Sequence, residues 1–192
     1  MTLALTGVAL VLSILPAPGG PQLGYDRAAV AEGQFWRPFT GQLVHWTPRM
    51  ALVDLSVVLA FGCWLERRSR GVAAGAILLA LFSIGAGIHF WLTKLDTYRG
   101  SSGLATACFA ATAAFLVCDS TLERQWRWSG LAALTLLAAK IAWEIGSGAA
   151  LAAGALPPGI QVVPQVHLIG ALAGLASAGA GAWLRTRAAE PA

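Results

Sequence analysis

Residues 100–117 read GSSGLATACFAATAAFLV and contain no charged side chain. A helix over the roughly 16 apolar residues that begin at Ser102 would be about 24 Å long, at about 1.5 Å per residue, whereas the hydrocarbon core of a bilayer is about 30 Å thick. The stretch therefore predicts a short membrane-spanning helix whose first residue, Ser102, lies below the outer surface of the bilayer.

The rest of the chain has the same character. Of the 192 residues, 57% are hydrophobic and 11% are charged, and the mean hydropathy is +0.67, whereas soluble domains carry about 25% charged residues. This composition argues against a water-soluble fold. It predicts an all-α membrane protein with one domain, residues 1–192, in which six transmembrane helices form a bundle. The six predicted helices are Thr2 to Leu15, Leu43 to Leu65, Gly71 to Leu92, Ser102 to Val117, Leu131 to Leu151 and Val166 to Leu184.

The basic residues give the predicted topology. The formal charge of +4 is not gathered into one basic stripe, which argues against nucleic acid as a partner. Instead, basic clusters flank the second, fifth and sixth apolar runs, and the positive-inside rule places them in the cytoplasm. Six crossings satisfy this rule with the N- and C-termini both cytoplasmic. The clusters are Arg67, Arg68 and Arg70, then Arg124 and Arg127, then Arg185 and Arg187.

This topology brings two reactive side chains to similar depth. Ser102 begins the fourth predicted helix and His167 begins the sixth, and both helices enter the membrane from the outer side. Gly100 and Gly103 flank the serine, so the backbone can turn tightly and approach a substrate carbonyl. N–H groups at a helix start also point toward a developing oxyanion. The alternative, purely structural interpretation of the segment Gly100 to Gly103 is a helix cap.

The start of the sixth predicted helix supplies the second half of the site. His167, Gly170 and Gly174 fall on one helical face, and the glycines allow close approach to a neighbouring backbone. If that neighbour is the fourth helix, His167 reaches the hydroxyl of Ser102 and acts as its general base. A third, carboxylate member is not obvious from the sequence. We therefore predict a Ser-His dyad that needs no cofactor and no metal.

Four features together resemble the rhomboid family of intramembrane serine proteases over nearly the whole chain. They are the segment Gly33 to Thr40 (GQFWRPFT), which is similar to the family's Trp-Arg loop, His45 at the start of the second helix, Gly-x-Ser-Gly at the start of the fourth, and His-x-x-Gly-x-x-x-Gly at the start of the sixth. The resemblance implies peptide-bond hydrolysis in the bilayer, at a site open to the outer side.

The small size and the segment Tyr98 to Gly103 (YRGSSG) look most like the rhombosortase subgroup. That resemblance implies single-span membrane protein substrates with a Gly-Gly C-terminal sorting tail. It also implies a bacterial inner membrane, with the active site on the periplasmic side.

The chain departs from the family pattern at two positions that donate into the oxyanion hole. The family has a second His and an Asn where this chain has Met50 and Asp54. A carboxyl group buried in an apolar site is pushed toward its neutral form, which donates a hydrogen bond. We therefore expect a protonated Asp54 to serve in the oxyanion hole with the backbone N–H groups of Ser101 and Ser102. His45 either lines the same cavity as part of that hole or is a structural residue bonded to a loop carbonyl.

Several alternatives remain at the level of sequence. Lys140 and Glu144, at i and i+4 within the fifth helix, form either a structural ion pair or a recognition site for substrate. A zinc site of His45, His89 and His167 is another possibility, although no close ligand spacing supports it. At the level of the whole protein, the rivals are a catalytically inactive rhomboid-like binding protein, favoured by Met50 and Asp54, and a small transporter.

Overall fold

Helices make up most of the computed structural model, which describes residues 1–14, 22–149, 160 and 163–188. The helices are α1 (Thr2–Ile14), α2 (Arg27–Ala31), α3 (Arg37–Thr40), α4 (Pro48–Arg68), α5 (Arg70–Trp91), α6 (Ser102–Cys118), α7 (Arg124–Ser147) and α8 (Pro164–Ala188). A two-stranded sheet consists of β1 (Tyr25–Asp26) and β2 (Thr97–Tyr98).

Six of these helices, α1 and α4 to α8, occupy the six apolar stretches that the sequence predicts. By length and composition, α4, α5, α7 and α8 qualify as membrane spans, whereas α1 and α6 are shorter apolar helices. The chain is thus a multi-pass membrane protein with four candidate spans among the described residues, and the crossing of the bilayer by all six helices stays a prediction.

Two helix starts differ from the prediction by more than one helical turn. The second long helix begins at Pro48 rather than Leu43, because the Thr47 side chain accepts the Met50 N–H as an N-cap and proline fits the first helical position. The fifth begins at Arg124 rather than Leu131. Its first turns are polar and exposed, so hydropathy does not detect them.

Helix α6 is the central helix of the bundle, and most of its residues are buried. Small residues let its neighbours approach closely. A Cβ added to Gly174 of α8 would overlap the carbonyl oxygen of Ala107, and one added to Gly130 of α7 would lie 2.6 Å from the carbonyl oxygen of Ala113. Because its neighbours cover it on several sides, α6 can be shorter than the bilayer is thick.

The small sheet was not part of the all-α prediction. Tyr25 pairs with Tyr98 and Asp26 with Thr97 in antiparallel register, and a pair of two-residue strands leaves no periodic pattern in a sequence. The sheet ties the chain after α1 to the loop before α6. Close by, the Arg27 guanidinium donates to four carbonyl groups, those of Ile88, His89, Leu92 and Leu95.

The basic clusters of the sequence lie at one end of the bundle. The N-terminal ammonium group of Met1 binds the Glu66 carboxylate at 2.8 Å. Nearby in sequence, the ring of Trp64 packs against that of Phe115, with 6.0 Å between centroids, and the Arg185 guanidinium lies 5.0 Å from the same Phe115 ring. These contacts gather the basic clusters at the end of the bundle where α6 ends, opposite the end where α6 begins.

Candidate active site

The loop before α6 is fixed by its own backbone. Gly100 has φ = 148°, a conformation that L-residues rarely adopt and glycine adopts readily. Its N–H donates to the carbonyl of Gly41 at 3.1 Å, and its carbonyl accepts the Tyr98 hydroxyl at 2.9 Å. The loop therefore enters α6 in one defined conformation.

Ser101, the residue before the predicted nucleophile, is almost completely buried, at 1% exposed. Its hydroxyl donates to the Gln42 carbonyl at 2.6 Å, and its backbone N–H donates to Nε2 of His45 at 3.2 Å. Both donors of Ser101 are thus engaged within the fold.

His45 lies in the loop before Pro48 rather than at the start of a helix, because the Thr47 cap delays α4. The Ser13 hydroxyl donates to the Ala9 carbonyl at 2.7 Å, so at 2.9 Å from His45 Nδ1 its oxygen accepts the ring N–H. This leaves a lone pair on Nε2, which accepts the N–H of Ser101. His45 is therefore a buried residue that holds the serine loop, one of the two roles expected from the sequence.

Ser102 is the first residue of α6. The first N–H groups of a helix have no acceptor within it and carry the positive end of its dipole, so the backbone N–H groups of Ser102 and Gly103 are suited to an anion. The Tyr98 hydroxyl lines the same cavity as Ser102, and burial raises the pKa of that phenol. Tyr98 therefore stays neutral beside the serine.

His167 lies in the first turn of α8, where its ring meets two side chains of α7. Nδ1 lies 2.8 Å from Oε2 of Glu144, and the same oxygen accepts Nζ of Lys140 at 2.7 Å. The nitrogen atoms of Lys140 and His167 are 3.3 Å apart. Glu144 is 1% exposed, and so the ion pair faces the inside of the bundle.

The structure thus places a carboxylate beside the histidine, where the sequence offered no obvious third member. Glu144 is separated from His167 by 23 positions, and sequence spacing does not show which helix faces are in contact over such a distance. The available signal was the Lys140–Glu144 pair itself, because two charges in an apolar helix need polar surroundings.

One cavity of about 580 Å³ joins these features. It lies between α4, the loop before α6, and helices α6, α7 and α8. Its lining includes Asp54, Tyr98, Ser102, Lys140, Glu144 and His167.

Ser102 and His167 lie on adjoining backbones. A Cβ added to Gly103 would lie 3.1 Å from the Val166 carbonyl oxygen, and one added to Gly170 would overlap the carbonyl oxygen of Gly103. The structure thus brings together the helix starts that carry the predicted nucleophile and base. Among the hydrogen bonds of the described residues, none joins the Ser102 hydroxyl to the imidazole of His167.

Of the other residues considered from the sequence, two line the cavity and His89 does not. Asp54 lines the cavity, and its Oδ2 lies 3.4 Å from Nε2 of His45. Met50 also lines it. His89 lies elsewhere, with Nδ1 3.5 Å from the Tyr25 hydroxyl, and no group of three potential ligands suited to a metal occurs in the part of the chain that the structure describes.

The arrangement is suited to acyl transfer, because a hydroxyl, an imidazole backed by a carboxylate and helix-terminal N–H groups share one cavity. A comparison with protein families matches residues 32–183 to the Rhomboid domain, which covers most of the chain and all the residues of the cavity. No curated protein matches the chain by sequence. The chain therefore belongs to the rhomboid family, whose members are intramembrane serine proteases.

Proposed function

We propose that this chain is an active intramembrane serine endopeptidase with Ser102 as nucleophile and His167 as general base. The observation that carries the proposal is that both residues start adjoining helices and line one cavity. Nε2 of His167 takes the hydroxyl proton as Ser102 attacks a substrate carbonyl, and it then returns that proton to the leaving amine. Water hydrolyses the resulting acyl-enzyme.

The oxyanion of the tetrahedral intermediate needs donors that are not already engaged. We assign this role to the backbone N–H of Ser102, with Gly103 beside it, and to a protonated Asp54 across the cavity. Ser101 and His45, which the sequence also placed in the oxyanion hole, support it by holding the loop, since the Ser101 N–H donates to the His45 ring.

The proposed substrates are single-span membrane proteins with a Gly-Gly C-terminal sorting tail. The support is the likeness of Tyr98 to Gly103 to the rhombosortase subgroup. Glycine is a poor helix former, so such a tail unwinds easily and presents an extended peptide bond to Ser102. The gathering of basic clusters at the opposite end of the bundle favours cytoplasmic termini and a site open to the periplasm of a bacterial inner membrane.

The test of the activity is labelling of the detergent-purified protein with a fluorophosphonate probe. We expect the wild type to be labelled, Ser102→Ala to lose all labelling, and His167→Ala to lose most of it. Ser83→Ala is the matched control, because Ser83 is exposed on α5 and its hydroxyl bonds only its own helix at Leu79. A wild type that stays folded but unlabelled would identify an inactive rhomboid-like binding protein instead.

The test of the substrate class is co-expression with a Gly-Gly-tailed membrane protein. We expect processing by the wild type and none by Ser102→Ala. A second substrate with the Gly-Gly pair replaced by Leu-Leu should remain intact. Equal processing of both substrates would overturn the assignment of the tail while leaving the protease activity in place.

A further inference from the structure

We infer that Glu144 is a positioning residue that completes a Ser102–His167–Glu144 triad, and that Lys140 keeps its carboxylate charged. This inference rests on the proposed function and extends it from a dyad to a triad. It is carried by the contact of 2.8 Å between Nδ1 of His167 and Oε2 of Glu144 inside the bundle, at an almost fully buried carboxylate.

The first consequence of this contact is the choice of tautomer. An ionised carboxylate only accepts hydrogen bonds, so Nδ1 of His167 must carry the proton. Nε2 then keeps its lone pair, which is what a base for Ser102 requires. Without the carboxylate, Nδ1 would instead accept from the neighbouring Lys140 ammonium at 3.3 Å, and Nε2 would carry the proton.

The second consequence is electrostatic. When His167 takes the serine proton, its ring becomes an imidazolium, and a carboxylate in direct contact stabilises that charge. Lys140 acts in two ways: it keeps Glu144 ionised by pairing with it at 2.7 Å, and its own charge repels the imidazolium. Asp54 of α4 is the other carboxyl group that lines the cavity with His167.

Two substitutions separate these effects, with the rate of fluorophosphonate labelling measured against pH. Glu144→Gln keeps an oxygen that accepts from both neighbours but removes the charge. We expect labelling to slow by about 10²- to 10³-fold, within the range for general-base catalysis. We also expect the pH at which the labelling rate is half-maximal to fall. Lys140→Met removes the repelling cation, and we expect its half-maximal rate to move to higher pH.

The matched control is Glu123→Gln, which removes a carboxylate from the start of the same helix, where it bonds only Gln125 among the described residues. It should label like the wild type. The unfolding temperature of each variant in detergent shows whether the fold is retained. If Glu144→Gln fails to fold, the pH profile of Lys140→Met tests the triad instead. A midpoint at higher pH than the wild type supports the triad, and an unchanged midpoint overturns it.

The outcomes distinguish this inference from the proposed function. A folded wild type without labelling at Ser102 contradicts the protease itself. A labelled wild type with a folded Glu144→Gln of unchanged rate and pH profile overturns the triad alone. If Glu144 were merely structural, the unfolding temperature would fall while the half-maximal pH of both variants stayed in place, and this result also overturns the triad.

Discussion

The backbone N–H of Ser101 donates a hydrogen bond to Nε2 of His45 at 3.2 Å, across 56 positions of sequence. The opposite ring nitrogen of His45 binds Ser13 of α1. One imidazole thus joins α1, the loop before α4 and the loop that leads to Ser102. The position of Ser102 depends on a histidine that does not itself line the cavity.

We therefore predict that His45→Ala weakens both the fold and the site. The substitution leaves the buried N–H of Ser101 without its acceptor, which costs about 1 to 3 kcal/mol, and it frees the loop that positions Ser102. The measurements are the unfolding temperature in detergent and the fluorophosphonate labelling rate, both of which should fall.

His89→Ala is the control for this prediction. His89 is half-buried, its ring packs edge-on against those of Tyr25 and Phe90, and its Nδ1 lies 3.5 Å from the Tyr25 hydroxyl. None of these contacts is to the loop before α6, so the loss of His89 should have a smaller effect on stability and leave labelling in place. If His45→Ala were as stable and as rapidly labelled as the wild type, the loop would not depend on His45.

The sequence predicted the two residues that we propose as nucleophile and base, and the structure places both in the lining of one cavity. The alternation of basic clusters assigns the starts of the fourth and sixth helices to one side, and the helical spacing of His167, Gly170 and Gly174 indicates a face for close packing. Both inferences use local pattern and topology alone. They left the packing of the sixth helix against the fourth as a condition, which the close approach of Gly170 to Gly103 meets, and they do not give the distance between two side chains.

The partners of His45 and Glu144 could not be predicted from the sequence, because both depend on contacts between distant parts of the chain. The partner of His45 is a backbone N–H, and backbone groups leave no sequence signal of their partners. The contact of Glu144 with His167 depends on the rotation of α7, whose hydrophobic pattern does not define one face. The fifth predicted helix ends at Leu151, and that residue lies outside the described part of the chain.

The close packing of α6 and α8 gives a second prediction. A Cβ on Gly170 would overlap the backbone of Gly103, which directly follows the nucleophile. We expect Gly170→Ala to push the two helices apart, to cost about 1 to 3 kcal/mol of unfolding free energy and to reduce labelling, as Ser102 and His167 separate. The measurements are again the unfolding temperature and the labelling rate.

Gly179→Ala is the matched control on the same helix, because a Cβ there meets no atom within 4 Å. Its stability and labelling should equal those of the wild type. Equal behaviour of the two alanine variants would show that α8 tolerates a Cβ at both positions, and it would contradict a site that depends on close backbone contact.

Asp54 gives the third prediction, since it occupies the place where the family usually has an amide. If a neutral Asp54 donates a hydrogen bond to the oxyanion, Asp54→Asn should retain labelling, because the amide is also a neutral donor of similar shape. Asp54→Ala should label about 10²- to 10³-fold more slowly, the usual loss for one oxyanion donor.

The control for Asp54 is Asp119→Asn, which changes a carboxyl group in the turn after α6. That carboxylate accepts from Thr121, and those bonds hold the pKa of Asp119 below its usual value. The variant should label as the wild type does at every pH. If Asp54→Asn abolished labelling in a folded protein, Asp54 would act as a charged group, and the oxyanion would depend on the backbone N–H groups of α6 alone.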